Sequence, residues 1–130
     1  MSVVRVKLIP EFYLGDDAVL LAADREGLDT FEHALSGAAM KQNLPGDLIS
    51  EGVRHKFVLG RPEARVELQE NYVIWHLPDE KVSEILATLA SLNAAPDPSH
   101  HYVDIDNPAG TLVLSVDEYL DSPIFASSRI

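Results

Sequence analysis

Residues 64–92 read ARVELQENYVIWHLPDEKVSEILATLASL, and the spacing of their apolar side chains changes midway. Up to Leu77 apolar and polar residues largely alternate, a spacing typical of strands. After Pro78 the apolar residues recur every three or four positions, which indicates one face of a helix. They are Val82, Ile85, Leu86, Leu89 and Leu92. The stretch predicts a hairpin of strands 64–69 and 72–77, with Pro78 at the first position of the following helix.

The predicted hairpin also sets the directions of its side chains. If Glu70-Asn71 is a two-residue turn, Val66 lies opposite Trp75 and Arg65 opposite His76. Alternation then points Val66, Leu68, Val73 and Trp75 towards the helices. We therefore expect Trp75 to be buried in the core.

The same patterns predict the other elements of the chain. Strands are expected at 3–9, 18–22, 56–59, 101–105 and 111–116, with a helix that Asp24 caps and that ends near Met40. Residues 41–52 are expected to be irregular, 117–120 to add a helical turn, and the last nine residues to form a tail.

Two parts of the chain match in sequence pattern. An offset of 54 places Val19 on Val73 and Leu35 on Leu89, and a later offset of 46 places His55 on His101 and Phe57 on Val103. This predicts two β-α-β-β repeats, at about 18–70 and 72–116. The expected fold class is α+β: a single domain, 1–130, with two layers, in which a largely antiparallel sheet carries both helices on one face.

Composition excludes several classes of protein. The 130 residues include 21 Asp and Glu, ten Lys and Arg and no Cys, which gives a net charge of −11. Without cysteine there is no disulfide, thiolate metal site or cysteine nucleophile. Nucleic acid is not an expected partner, because binding phosphates requires a basic surface. The N-terminus has the pattern of a strand, and no apolar stretch is long enough to span a membrane, so we expect a cytoplasmic protein without membrane contact.

The side of the sheet away from the helices is predicted to be a binding surface. It would carry Val58, Tyr72, Ile74, Tyr102 and Val113 among the polar residues Arg65, Glu67, His76 and Asp104. This face is unusually apolar for a solvated one, so either another chain or the N-terminal strand region covers it. We favour another chain and predict a homodimer, with Tyr72, Ile74, His76, Tyr102 and Asp104 as binding residues.

The sequence gives weaker evidence for a metal or catalytic site than for this binding surface. His76, Asp104 and Asp106 are the candidate metal ligands if they share one end of the sheet, although Asp-Ile-Asp-Asn-Pro is equally a turn-capping sequence. The sequence contains no nucleophile-elbow, dinucleotide-binding or P-loop motif. We therefore expect no catalytic residues and no cofactor.

Two segments carry a resemblance to a known class of proteins. Ala23-Asp24-Arg25-Glu26-Gly27-Leu28 enters the first helix, and Ser99-His100-His101-Tyr102-Val103-Asp104 enters a strand. In these segments the chain resembles the bacterial immunity proteins of polymorphic toxin systems. The resemblance implies a non-catalytic protein that binds and blocks one partner, and the acidic charge favours a basic one. The alternative is a small-ligand or metal-binding protein, or an enzyme, using the outer sheet face near His76 and Asp104.

Overall fold

The computed structural model describes residues 2–13, 15–40 and 48–120. Within them the chain forms eight strands and two helices. In chain order these are β1 (Val4–Tyr13), β2 (Asp16–Ala23), α1 (Arg25–Ala39), β3 (Leu48–Ser50), β4 (Val53–Leu59), β5 (Arg65–Leu68), β6 (Tyr72–Leu77), α2 (Asp79–Ala94), β7 (Ser99–Asp104) and β8 (Thr111–Val116). The predicted tail and residues 41–47 of the predicted irregular segment lie outside the described residues. The predicted helical turn at 117–120 is not formed.

The fold is α+β, as predicted, but its strands form two sheets. Sheet A has the order β1-β2-β8-β7, and sheet B has the order β3-β4-β6-β5. In each sheet the central pair is parallel and both outer pairs are antiparallel. The prediction of one sheet was wrong, because the central pairs join strands that are not consecutive, β2 with β8 and β4 with β6, and no local pattern encodes that choice.

The two sheets have equivalent topologies. If β1-β2-α1-β3-β4 is exchanged with β5-β6-α2-β7-β8, the strand order of sheet A becomes that of sheet B. The predicted β-α-β-β repeats are not confirmed by this arrangement. Their alignment placed Phe57 of β4 on Val103 of β7, whereas the exchange makes β8 the counterpart of β4 and β3 the counterpart of β7.

One hydrophobic core joins both sheets and both helices. Leu21 and Leu114 of sheet A, Trp75 of sheet B and Phe31 of α1 all belong to it. Trp75 is 1% exposed, so its predicted burial is confirmed. The hairpin register is also confirmed, with Val66 opposite Trp75 and Arg65 opposite His76.

The start of α1 is fixed to the rest of the fold by its first residues. The Asp24 carboxylate caps the helix by accepting hydrogen bonds from the backbone N–H groups of Gly27 (2.6 Å) and Val3 (3.1 Å). The Arg25 guanidinium donates to the carbonyls of Leu92 and Asn93 at the end of α2. Carbonyls in the last turn of a helix lack the usual N–H donor four residues on, and Arg25 supplies donors to two of them. The Leu92 carbonyl also accepts from the backbone N–H of Ala95, the C-cap residue of α2. Pro78 occupies the N-cap of α2 instead of its first helical position, so the helix begins one residue later than predicted, at Asp79.

Among the described residues, no helix combines the length and the apolar character that crossing a membrane requires.

Candidate functional site

The structure divides the predicted binding residues between two sheets. Tyr72, Ile74 and His76 lie on β6 of sheet B, whereas Tyr102 and Asp104 lie on β7 at the edge of sheet A. The prediction that they share one face of one sheet was wrong. The alternation of side chains along each strand was right, but assignment to a sheet depends on the long-range parallel pairs.

The outer face of sheet A, on the side away from the helices, is covered over its centre. Val113, predicted to lie on an open patch, is fully buried, as are Leu20 and Ala18. Phe12 and Tyr119 pack against this second small cluster, and their rings meet edge to face at 5.6 Å. The apolar patch predicted to mediate a homodimer is therefore not continuous.

The three candidate metal ligands do not come together. His76 lies in sheet B, and Asp104 lies at the end of β7 in sheet A. The Asp106 carboxylate accepts a hydrogen bond from the backbone N–H of Ala64 at 2.8 Å, which joins the β7–β8 turn to the start of β5. Across 2–13, 15–40 and 48–120, His, Asp and Glu form no group of three or more that could hold a metal ion.

The outer face of sheet B is the part of the predicted surface that the structure retains. We call it the sheet B face. It consists of Ile49, Arg54, Lys56, Val58, Arg65, Glu67, Tyr72, Ile74 and His76, the residues that alternate with the core-facing ones on its four strands. Ile49 is 60% exposed and Val58 is 38% exposed. Strand pairing aligns these side chains in rows, one of Lys56, Ile74 and Glu67 and the next of Val58, His76 and Arg65.

The side chains of His76, Arg65 and Glu67 form a hydrogen-bonded group on the sheet B face. Nε2 of His76 lies 3.1 Å from Nη2 of Arg65 and 3.2 Å from Oε1 of Glu67. In one tautomer Nε2 accepts from Arg65, and in the other it donates to Glu67. The opposite ring nitrogen, Nδ1, is buried and has no hydrogen-bond partner among the described residues. Neither nitrogen of His76 is therefore presented openly to solvent.

Charge on the sheet B face differs from that of the chain as a whole. Arg54, Lys56 and Arg65 project from it, and Glu67 is its single carboxylate among the residues that the structure describes. The chain overall carries twice as many acidic as basic residues, with a net charge of −11. The face thus places positive charges around Ile74 on an otherwise acidic protein.

Sequence reasoning missed a second polar group at the edge of sheet A. Nδ1 of His100 lies 2.7 Å from Oε1 of Glu118, and its Nε2 lies 3.1 Å from the hydroxyl of Tyr102. The sequence offered a signal for this group. His100 and Tyr102 are two residues apart on β7 and therefore share a face, and Glu118 follows β8, the strand paired with β7. The group attaches the segment after β8 to β7. Burial raises the pKa of the adjacent Tyr119 hydroxyl.

His55 is the chain's one fully buried imidazole among the described residues, and it lies in the core instead of at a surface site. Its position two residues before Phe57, on the core side of β4, is the sequence signal for this burial. Burial lowers its pKa to about 4. His55 is therefore neutral near pH 7 and belongs to the fold.

The described residues also line one open depression of about 460 Å³ at the end of sheet A where β2 and β8 begin. Asp16 and Asp17 are the charged residues of its lining, and the Pro108–Thr111 turn forms another part of the lining.

Searches against protein-family models, curated proteins and solved structures found no match to this chain.

Proposed function

We propose that this chain is a non-catalytic protein-binding domain of the immunity type, which blocks one partner by covering part of its surface. The observation that carries the proposal is the difference between the two sheets. Leu20 and Val113 on the outer face of sheet A are fully buried, whereas Val58 and Ile49 on the sheet B face are exposed. An exposed sheet face with apolar side chains among polar ones is typical of a binding surface.

The composition of the sheet B face is typical of a non-obligate interface, whose partners also exist apart. Ile74 lies half-buried between Lys56 and Glu67 in its middle, and the half-buried Tyr72 lies beside Arg54 at the start of β6. Non-obligate interfaces combine an apolar centre with a polar rim in this way. A permanently covered face, such as that of sheet A, instead carries alanine, leucine and valine.

The geometry of His76 favours binding over acid–base chemistry. A general base needs a ring nitrogen within hydrogen-bond reach of a substrate proton. Here Nε2 is engaged by Arg65 and Glu67, and Nδ1 is buried. The alternative function, ligand binding or catalysis around His76 and Asp104, would also need two side chains that belong to different sheets.

A second copy of the chain is the other candidate occupant. A twofold contact through the sheet B face would bring Arg54, Lys56 and Arg65 of one copy towards the same residues of the other. Like charges in contact oppose association. We therefore propose a different protein as the partner, in the cytoplasm.

Affinity capture from the native cell tests this function, with three baits compared quantitatively. The baits are the wild-type chain, Ile74→Lys on the sheet B face, and Ala87→Lys on the exposed side of α2. We expect one protein that the wild type and Ala87→Lys retain and that Ile74→Lys loses, and this protein should lose its activity when one equivalent of the chain is added. Val58→Lys repeats the test at a more exposed site if Ile74→Lys fails to fold. Retention of the same proteins by all baits would contradict the proposal.

A further inference from the structure

The sheet B face concentrates positive charge on a protein with a large negative charge. Four of the ten basic residues lie between positions 54 and 65, and three of them, Arg54, Lys56 and Arg65, project from this face. Arg54 and Lys56 are exposed, and the side chain of Arg65 is 40% exposed. Glu67, beside Arg65 at 3.7 Å, offsets only part of this charge. At contact distance, an approaching surface therefore meets cations.

In sheet A, an apolar residue occupies the position that corresponds to Lys56 of sheet B. Lys56 pairs with Ile74 across the central strands of sheet B, as Val113 pairs with Leu20 in sheet A. In sheet A both residues are fully buried beneath Phe12 and Tyr119. A lysine at the position of Val113 would lose its hydration under such a cover without gaining a partner, which is costly. The sheet B face therefore suits either water or a covering surface that supplies opposite charge.

From this charge and its placement we infer that the partner of the sheet B face is a protein surface that presents carboxylates around an apolar side chain. The inference rests on the proposed function and gives the chemical class of its partner. Carboxylates would meet Lys56 and Arg65, and the apolar side chain would lie on Ile74 and Val58. It replaces the basic partner expected from net charge, because contact is governed by the nearest charges, while distant ones are screened beyond about 8 Å at physiological salt.

Nucleic acid fits the face less well than protein carboxylates do. Affinity for a nucleic acid comes mainly from neutralising many phosphates along a basic surface. The sheet B face offers three Lys or Arg side chains, and the chain around it is strongly acidic. A protein surface needs only a few ion pairs placed around an apolar contact.

A peptide titration followed by amide NMR signals tests the partner class. The probes are an alternating Glu-Val octapeptide, an alternating Lys-Val octapeptide and an oligodeoxythymidine of equal length. The proteins are the wild type, Lys56→Glu on the face, and Lys81→Glu on α2, which changes the net charge equally away from the face. We expect the Glu-Val peptide to shift signals of β4 and β6, and Lys56→Glu to weaken it about tenfold while Lys81→Glu has less than about a twofold effect.

Each other result overturns the inference. These results are preferential binding of the Lys-Val peptide or of the oligonucleotide, no binding of the Glu-Val peptide, and equal weakening by Lys56→Glu and Lys81→Glu. The protein captured with the native bait separates this failure from failure of the proposed function. If that protein is lost by Ile74→Lys but binds Lys56→Glu as tightly as Lys81→Glu, the face is the binding site and only its partner class is wrong.

Discussion

The indole N–H of Trp75 donates a hydrogen bond to Nδ1 of His55 across 3.3 Å, and both side chains are buried in the core. Their ring planes are inclined by 22° with centroids 6.3 Å apart, and Phe31 makes T-shaped contacts with both rings. Because Nδ1 accepts this bond, the imidazole is neutral and its proton lies on Nε2, which is buried without a hydrogen-bond partner among the described residues. Protonation of Nδ1 would place two donors against each other and a charge in the core.

This pair predicts a loss of stability as the pH falls. Burial holds the pKa of His55 at about 4 in the folded chain, against an ordinary value of 6.5. Between these values the unfolded chain binds a proton that the folded chain does not, so the free energy of unfolding rises with pH across this window and falls as the solution is acidified. From pH 7 to pH 5 the loss from this group is about 2 kcal/mol.

Urea unfolding at the two pH values, in the wild type and in His55→Leu, measures that contribution. The variant should be less stable at pH 7, because Trp75 loses its acceptor, but should lose less stability on acidification. An equal loss in both proteins would show that folding does not lower the pKa of His55, and would contradict the prediction.

Two glycines of α1 predict opposite responses to the same substitution. A Cβ atom at Gly27 would meet the backbone carbonyl of Val3 and lie 2.9 Å from the Asp24 carboxylate, whereas a Cβ atom at Gly37 has nothing within 4 Å. Gly27→Ala should therefore destabilise the fold by about 1–3 kcal/mol. Gly37→Ala should stabilise it by about 0.5–1 kcal/mol, because alanine favours the helix. Thermal unfolding of both variants checks the prediction, and a change of the same sign in both would contradict it.

The contacts of Arg25 predict a contribution to stability that the exposed Arg61 lacks. Its guanidinium contacts the carbonyls of Leu92, Asn93 and Asp97, and its Nε lies 3.3 Å from Asp117. Removing several charge-assisted hydrogen bonds should cost about 2 kcal/mol. The exposed Arg61 is the matched control, and Arg61→Ala should change stability by less than about 0.5 kcal/mol. Equal unfolding midpoints for Arg25→Ala and Arg61→Ala would contradict this role.

Asp106 and Ser50 make equivalent side-chain hydrogen bonds to backbone N–H groups in the two halves of the fold. Ser50 Oγ accepts a hydrogen bond from the N–H of Val4 at 2.9 Å, as the Asp106 carboxylate does from that of Ala64. We therefore predict that Asp106→Ala lowers the free energy of unfolding by about 1–2 kcal/mol, while Asp104→Ala, at an exposed position, leaves it nearly unchanged. Chemical unfolding of both variants with and without Mn²⁺ is the measurement. If Mn²⁺ stabilised the wild type and neither variant, Asp104 and Asp106 would instead be metal ligands.

Sequence reasoning predicted the parts of the fold that depend on neighbouring residues. The register of Arg65 with His76 follows from a two-residue turn, and the Asp24 cap follows from the residues around it. The same local register correctly placed Ile74, His76 and Glu67 on one face. β3 was missed because its three residues, Leu48–Ser50, are too short for a periodic signal.

The assignment of strands to two sheets was beyond sequence reasoning. The pairing of β2 with β8, such as Leu21 with Leu114, joins residues almost a hundred positions apart and leaves no trace in local spacing. Tyr102 and Asp104 were therefore separated from Ile74, although their direction on β7 was predictable. The burial of Val113 has the same origin, because its cover includes Phe12 from the other end of the chain.

The most direct test of the sheet B face is calorimetric titration of the captured partner with the wild type, Ile74→Lys and Ala87→Lys. Our account predicts a one-to-one complex whose dissociation constant rises about 30-fold or more for Ile74→Lys, as expected for a central interface residue, and is unchanged for Ala87→Lys. Equal dissociation constants for all three proteins, each with an unchanged unfolding temperature, would show that the partner binds elsewhere and would contradict the account.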